Sequence, residues 1–249
     1  MHPDEAFVLL AGASGRTGRE ALDHLLDAGV RVRALTSSPD RVETLELQGA
    51  DEVVVGDLLD PADARRAVEG EDGDAVDVVC CTVGDSPSIR TVRATLVDGE
   101  GVVNLARAAA GAGVERFALV SSLGVGDSRE AVPVPLRAFF DLFGILEAKE
   151  RGEAALRASG VGYTVLRPGG LTDDPATGDV VVGEGGEGVS GSIPRADVAR
   201  LLVAAPFTPD TEDRTFEVVS RAGLRGDAEG VVEVDWRAPG DGDAEGEER

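Results

Sequence analysis

A chain of 249 residues is long enough to bury a full hydrophobic core. Its 47 Asp and Glu against 24 Lys and Arg leave a formal net charge of −23, which repels nucleic acid and anionic membrane surfaces, so neither is expected as a partner. No run approaches the roughly 18 apolar residues of a membrane span. The opening MHPDEAF lacks a basic region followed by an apolar stretch, so a cytoplasmic protein is expected.

The first apolar run, 7–11, ends in glycine and precedes an apolar pattern through Leu22, Leu25 and Leu26 that stops at Gly29, which reads as strand, turn, helix. Residues 30–35 alternate as a second strand, 40–47 read as a helix and 52–55 as a third strand. A helix at 61–68, a buried strand at 75–82, a helix at 102–110 and a strand at 116–121 follow. A helix through Lys149 to Ala158, a strand at 163–167, a helix at 196–205 and a strand at 215–220 complete the order. Strands alternating with helices at this spacing imply βαβ units with right-handed crossovers. The expected fold is therefore α/β, a doubly wound Rossmann-like parallel sheet with helices on both faces.

Residues 171–192, rich in Gly, Asp and Thr around a small VVV, are expected as a mobile substrate-side loop with a short strand. From 239 onward, PGDGDAEGEER cannot bury enough apolar area to order itself. The expected organisation is one domain over 1–238, with substrate-side segments at about 127–145 and 171–195, and an acidic tail over 239–249. Cys80 and Cys81 are adjacent in the apolar run VDVVCCTVG, where neighbouring side chains point to opposite faces, so no disulfide is expected. Two separated histidines, His2 and His24, and a CC pair make no metal site.

FVLLAGASGRTGREAL places Gly12, Gly15 and Gly18 between the first strand and the first helix, with Ser14, Arg16 and Thr17 among them. Glycines there let a backbone approach a pyrophosphate, which sits on the free N–H groups and positive end of the helix. An acidic residue about 20 positions on would accept the ribose 2′-hydroxyl of NAD. Here that region reads RALTSSPDR, with Thr36, Ser37 and Ser38 in its place and Arg16, Arg33 and Arg41 within reach. NADP is therefore the expected cofactor, with NAD left open; taken singly, Arg33 and Arg41 are more often solvated surface charges. Asp57 is positioned to accept from an adenine amino group with Leu58 against the ring, while Asp60, directly before Pro61, is the better helix cap. Thr82 and Val83 end the fourth strand, where a nucleotide ribose lies against the backbone.

The sequence resembles the atypical short-chain dehydrogenase/reductases of the NAD(P)-binding, NmrA-like group, within the NAD-dependent epimerase/dehydratase superfamily. The resemblance runs from about Val8 to Phe216 and rests on GASGRTG, GDLLD, GVERFALVSSLG, LEAKERGEAALRASGVGYTVLRPGGL and GSIPRADVA in that order. It implies a Rossmann-like sheet with a small C-terminal substrate region. It also implies that Lys149 holds the nicotinamide ribose hydroxyls and that a serine at the end of the fifth strand, Ser122 or Ser121, meets a substrate carbonyl. Catalytic members carry a tyrosine four residues before the lysine; here that residue is Ile145, which has no proton to exchange. The sole tyrosine, Tyr163, falls in a later strand.

The resemblance therefore implies three functions: an NADPH-dependent reductase of a small carbonyl, quinone or flavin-like acceptor; a non-catalytic NADP-sensing regulator; or a nucleotide-sugar epimerase or dehydratase, weakened because those members use the same tyrosine. Arg195 and Asp197 resemble the family's structural start to a late helix and receive no chemistry. Phe139, Phe140 and Phe143 are expected to pack a helix, line an apolar pocket or dock the second subunit of a homodimer.

Lys149 is the only lysine in the chain. Arginine nearly replacing lysine, with a large acid excess, resembles the halophilic proteins of salt-loving archaea, whose concentrated salt screens self-repulsion within a few ångströms. A GC-rich genome produces the same scarcity of Lys, Asn, Tyr and Ile, and the two causes can act together. A compact ammonium fits between two ribose hydroxyls where a planar guanidinium does not, which is a reason for a lysine at this one position.

Overall fold

Five consecutive apolar residues form β1 (Phe7–Ala11), and every one of them is buried, as a central parallel strand covered on both faces requires. The computed structural model describes residues 6–84, 95–186 and 188–239. After β1 come α1 (Arg16–Asp27), β2 (Arg31–Thr36), α2 (Val42–Gln48), β3 (Glu52–Val55), α3 (Pro61–Glu69) and β4 (Val78–Cys81). A π-turn (Val97–Gly101) leads into α4 (Val102–Ala112), and β5 (Arg116–Val120), α5 (Val134–Leu142), α6 (Ile145–Arg157) and β6 (Gly162–Pro168) follow. The last elements are β7 (Gly170–Thr172), β8 (Val180–Gly183), β9 (Ser192–Pro194), α7 (Arg195–Ala204) and β10 (Arg214–Ser220). Asp60 caps α3 by accepting the Ala62 amide at 2.8 Å.

The main sheet has the order β3-β2-β1-β4-β5-β6-β10-β8, parallel throughout except for β8, which runs antiparallel to β10. Strand order reverses between β1 and β4, whose ends register as Ala11 against Cys81. In an open parallel sheet a ligand crevice lies beyond the carboxyl ends of the strands at that reversal. Alternate residues feed the two faces: Val8, Leu10 and Cys80 pack with Leu22 and Leu25 of α1 and Val198 and Leu202 of α7. Leu9, Ala11 and Cys81 pack against α3 and α4 on the other side. Both cysteines are therefore fully buried, unpaired by a disulfide and on opposite faces.

The short strand expected within 171–192 is β8, at the VVV run; the strands not expected are β7 and β9, which lie at the two ends of that segment. β8 extends the main sheet, burying Val181 and Val182, while β7 and β9 pair in parallel as a separate two-stranded sheet. The VVV run is apolar enough to gain from an edge position beside β10. Residues 85–94, 187 and 240–249, and His2 with the first five residues, lie outside the described residues, so the expected acidic tail is described only at Pro239. Among the described residues no helix is long and apolar enough to cross a membrane.

Two glycine contacts bring backbones together at the crevice. A Cβ on Gly18 would lie 2.1 Å from the Gly12 carbonyl oxygen, so only glycine lets α1 seat against the turn that precedes it. A Cβ on Gly152 of α6 would lie 2.7 Å from the Asp98 carbonyl oxygen and 3.0 Å from Val102 Cβ, so α6 and the π-turn meet almost atom to atom. Overpacking a contact this close costs about 1–3 kcal/mol. Gly152→Ala is expected to lower the denaturant unfolding midpoint by a stability loss of that order, whereas Gly111→Ala, where an added Cβ meets nothing within 4 Å, is expected to leave it unchanged or raise it.

Candidate functional site

The turn after β1 is shaped by its glycines. Gly12 has φ +85°, a left-handed conformation that side chains disfavour, and an added Cβ would lie 2.8 Å from Thr82 Oγ1. The Gly12 and Ala13 amides both donate to the Leu35 carbonyl at 3.2 Å, which ties the turn to β2. Gly15 caps α1 without a side-chain oxygen. Helix geometry leaves the amides of Arg16, Thr17 and Gly18 without intrahelical acceptors, at the positive end of the helix dipole.

Two cavities meet at this turn. The smaller, about 210 Å³, is bounded by Ser14, Leu35, Thr36, Ser37, Gly56 and Leu58. The larger, about 360 Å³, is bounded by Arg16, Thr17, Gly18, Ser121, Ser122, Ile145, Lys149 and Arg195, among others. Gly15, Thr82, Val83 and Gly84 line both, so the two form a cleft passing over the helix start and the end of β4. Ser14 Oγ and Thr36 Oγ1 share a hydrogen bond of 2.9 Å, and no carboxylate is among the described residues lining the smaller cavity.

At the far end of the larger cavity, Lys149 Nζ lies 2.5 Å from Asp98 Oδ1, with the Lys149 side chain 15% exposed and that of Asp98 fully buried. Removing one partner of a pair so buried costs on the order of 3–5 kcal/mol, because the other charge is left uncompensated. The close approach at Gly152 and Gly99 is what sets the π-turn, and with it Asp98, against α6. Ile145, one helical turn before Lys149, is buried and lines the same cleft. The two serines differ. Ser121 Oγ donates to Glu153 Oε1 at 2.5 Å inside the protein, whereas half-buried Ser122 donates to the adjacent Leu123 carbonyl at 2.9 Å.

Glu153, one turn after Lys149, is fully buried and accepts from Arg167 Nη2 at 2.9 Å, Arg167 Nε at 3.1 Å and Arg157 Nη2 at 2.7 Å. Arg167 also pairs with Asp127 and, at 3.3 Å, with buried Glu217. Burial works to lower the Arg167 pKa, but the hydrogen bonds and fields of Glu153 and Asp127 outweigh it and hold the guanidinium firmly charged. Burial raises the Glu217 carboxyl above its usual value, against the pull of Arg167 and the Gly186 amide. Burial likewise pushes both cysteine thiols up, Cys81 to about 12, so neither supplies a thiolate.

The expected site residues divide accordingly. Gly12, Ser14, Gly15, Arg16, Thr17, Gly18, Ser37, Leu58, Thr82, Val83, Lys149, Ser121 and Ser122 all line the joined cleft. Asp57 does not line it; its exposed carboxylate accepts the Leu59 amide at 2.9 Å. Arg33 is buried and committed elsewhere, donating to Glu52 and to the carbonyls of Ala67, Val68 and Asp74 and stacking on Phe7, so it is neither a surface charge nor near the cleft. Arg41 is half exposed beside Asp40. Tyr163 is half-buried and packs against the core near the amino end of β6, away from the strands' carboxyl ends. Asp98, Glu153, Arg167 and Glu217 were missed. Lys149 and Glu153, four apart, share a helix face, which is a signal the sequence does carry; the others come from distant segments.

The sequence profile of a family described as NAD(P)H-binding matches residues 12–209. An uncharacterized sugar epimerase of Bacillus subtilis is 32% identical over 212 residues, 85% of this chain and 92% of that protein. Sanguinarine reductase of Eschscholzia californica is 30% identical, over 86% of this chain and 89% of its own length. Among solved structures, an anaerobilin reductase from Escherichia coli O157:H7 superposes with a TM-score of 0.76 at 27% identity, covering 88% of this chain and all of that one.

The raised Glu217 pKa fixes the sign of a pH effect. Because the folded state binds this proton more readily than the unfolded chain, the charged carboxylate costs stability above the folded pKa, and that cost fades as the pH falls through it. Glu217→Gln is expected to be more stable than the parent at neutral pH, with the difference shrinking toward mildly acidic pH in parallel urea titrations. A deficit at neutral pH that shrinks in acid would mean that the charge itself stabilises through Arg167.

Proposed function

The chain belongs to the NAD(P)H-binding family, and on that premise we propose that it is an NADPH-dependent reductase of a small, electron-poor carbonyl, quinone or flavin-like acceptor, working without a catalytic tyrosine. The observation that carries this reading is the content of the larger cavity: one ammonium and two serine hydroxyls beside a buried isoleucine, over a helix start with unmatched amides. The residues present fit a dinucleotide. Gly12 and Gly18 keep side chains out of the turn, the first-turn amides suit a diphosphate, and Lys149 lines the same cavity as that helix start, for a ribose. Thr36 and Ser37 without a lining carboxylate favour a 2′-phosphate, hence NADP over NAD.

When bound, the reduced dinucleotide supplies a hydride. The chain holds and orients the partners. Lys149 Nζ, fixed by Asp98, donates to ribose hydroxyls. Ser122 exchanges its short-range bond to Leu123 for the acceptor's carbonyl oxygen. Ser121, with its hydrogen committed to Glu153, presents only lone pairs to the cleft and so accepts a donor from the ligand. The proton that balances the hydride comes from water or from Ser122, which recovers it from solvent. A well-placed general acid contributes typically 10²–10⁴-fold, so acceptors that stabilise the incoming charge themselves are the ones that suit this site. Relatives named as reductases support this reading. Ile145 favours a second one, a non-catalytic NADP-sensing regulator; the relative named as a sugar epimerase leaves epimerisation third, since among the described residues lining the cleft no tyrosine replaces the missing acid.

The test is NADPH and NADH oxidation in concentrated salt against a panel of quinones and ketones, with calorimetric binding alongside. Turnover with quinones and preference for NADPH are expected. Lys149→Ala is expected to weaken NADPH binding about ten- to a hundredfold, the loss of charge-assisted hydrogen bonds. Ser122→Ala is expected to lower kcat about tenfold without changing NADPH affinity. Tight binding with no turnover on any acceptor would favour the regulator, and no binding would overturn both.

A further inference from the structure

The start of α7 received no chemistry from the sequence, yet Arg195 lines the larger cavity with its side chain 15% exposed. Its Nη1 donates to Asp173 Oδ1 at 2.7 Å, and Arg16 Nη1, from the first residue of α1, donates to the other oxygen, Oδ2, at 2.8 Å. One carboxylate thus takes one oxygen to each of two arginines, which is how a phosphate or carboxylate is shared between guanidinium groups. Both arginines face two ways. They border the cleft, and they border an outer depression of about 710 Å³, where Asp173, Arg19, Glu20, Asp23 and Asp174 also lie.

Charge separates the two sides. The outer depression carries more acids than bases, whereas among the described residues the cleft is lined by Arg16, Lys149 and Arg195 against Asp98 alone. In a chain of net charge −23, such an inward excess of positive charge is a local inversion. Asp173 is 64% exposed and Arg16 61%, so the bond between them is of the weakly held, screened kind and exchanges easily.

The geometry points to the Arg16 and Arg195 guanidinium groups as the receptor for an anionic group of the cleft's ligand, with Asp173 as the chain's own occupant that the ligand displaces. The inference rests on the cleft being a ligand site, as proposed above. The anion is either the cofactor's diphosphate or a carboxylate on the acceptor, since both are oxyanions able to span two arginines.

Calorimetric Kd values for NADP+, and kcat/KM for a carboxylate-bearing quinone relative to a neutral quinone, are measured for the parent, Asp173→Asn and Arg195→Gln. If the cofactor supplies the anion, Asp173→Asn binds NADP+ about two- to fivefold more tightly, the equivalent of one exposed ion pair, and Arg195→Gln about tenfold more weakly. If the acceptor supplies it, NADP+ affinity in Asp173→Asn stays at the parent value. The ratio for the carboxylated over the neutral quinone then rises about two- to fivefold in Asp173→Asn and falls about tenfold in Arg195→Gln. Should nothing turn over, binding of the carboxylated quinone to the NADP+-loaded protein replaces the ratio, so failure of the reductase reading remains distinct. Asp173→Asn weakening both ligands, or leaving both unmoved, overturns the proposal.

Discussion

The site depends on the contact between Gly18 and the Gly12 carbonyl. Because no side chain intervenes, the first turn of α1 lies directly against the end of β1, and its unmatched amides open over the point where strand order reverses. Both halves of the cleft are bounded by this turn. The remaining architecture serves to hold other groups at fixed distances from it: β2 through the Leu35 carbonyl, β4 through Thr82, and α6 through the π-turn that carries Asp98.

Much of the frame was legible in the residues. The span of β1 follows from a run of buried apolar side chains ending at glycine, that of β3 from three half-buried valines between Glu52 and Gly56, and Asp60 before Pro61 marks its helix start unambiguously. Lys149 could be placed because one helical turn and a family likeness locate it. What could not be read is long-range. Asp98 lies 51 positions before Lys149 in sequence, and only the tight seat of Gly152 on the π-turn reveals that the two meet. Arg33 alternates with apolar residues in a way that suggests a surface strand, yet three carbonyls, a carboxylate and the face of Phe7 take it inside. Within 171–192 the VVV strand was legible, whereas β7 and β9 were not, because each is only three residues long and they pair across the segment that separates them.

The single lysine then has a physical context. Its ammonium sits in a mostly buried pair, where a compact three-donor head can meet Asp98 and still turn toward a ligand. The arginines elsewhere serve forked roles, such as Arg167 between Glu153, Asp127 and Glu217, or Arg33 among backbone carbonyls. Ser121 and Ser122, adjacent in sequence, receive different roles from their partners: a buried carboxylate fixes one, and a neighbouring carbonyl leaves the other easier to recruit.

The central claim is that a dinucleotide diphosphate rests on the turn after β1 while its distal ribose reaches Lys149. Titration with NADP+ followed by amide NMR tests it most directly. The account predicts that the Arg16, Thr17 and Gly18 amide resonances shift together with that of Gly84 and saturate at one equivalent per chain. Saturable binding that leaves those amides unmoved, or no binding at all, would contradict it.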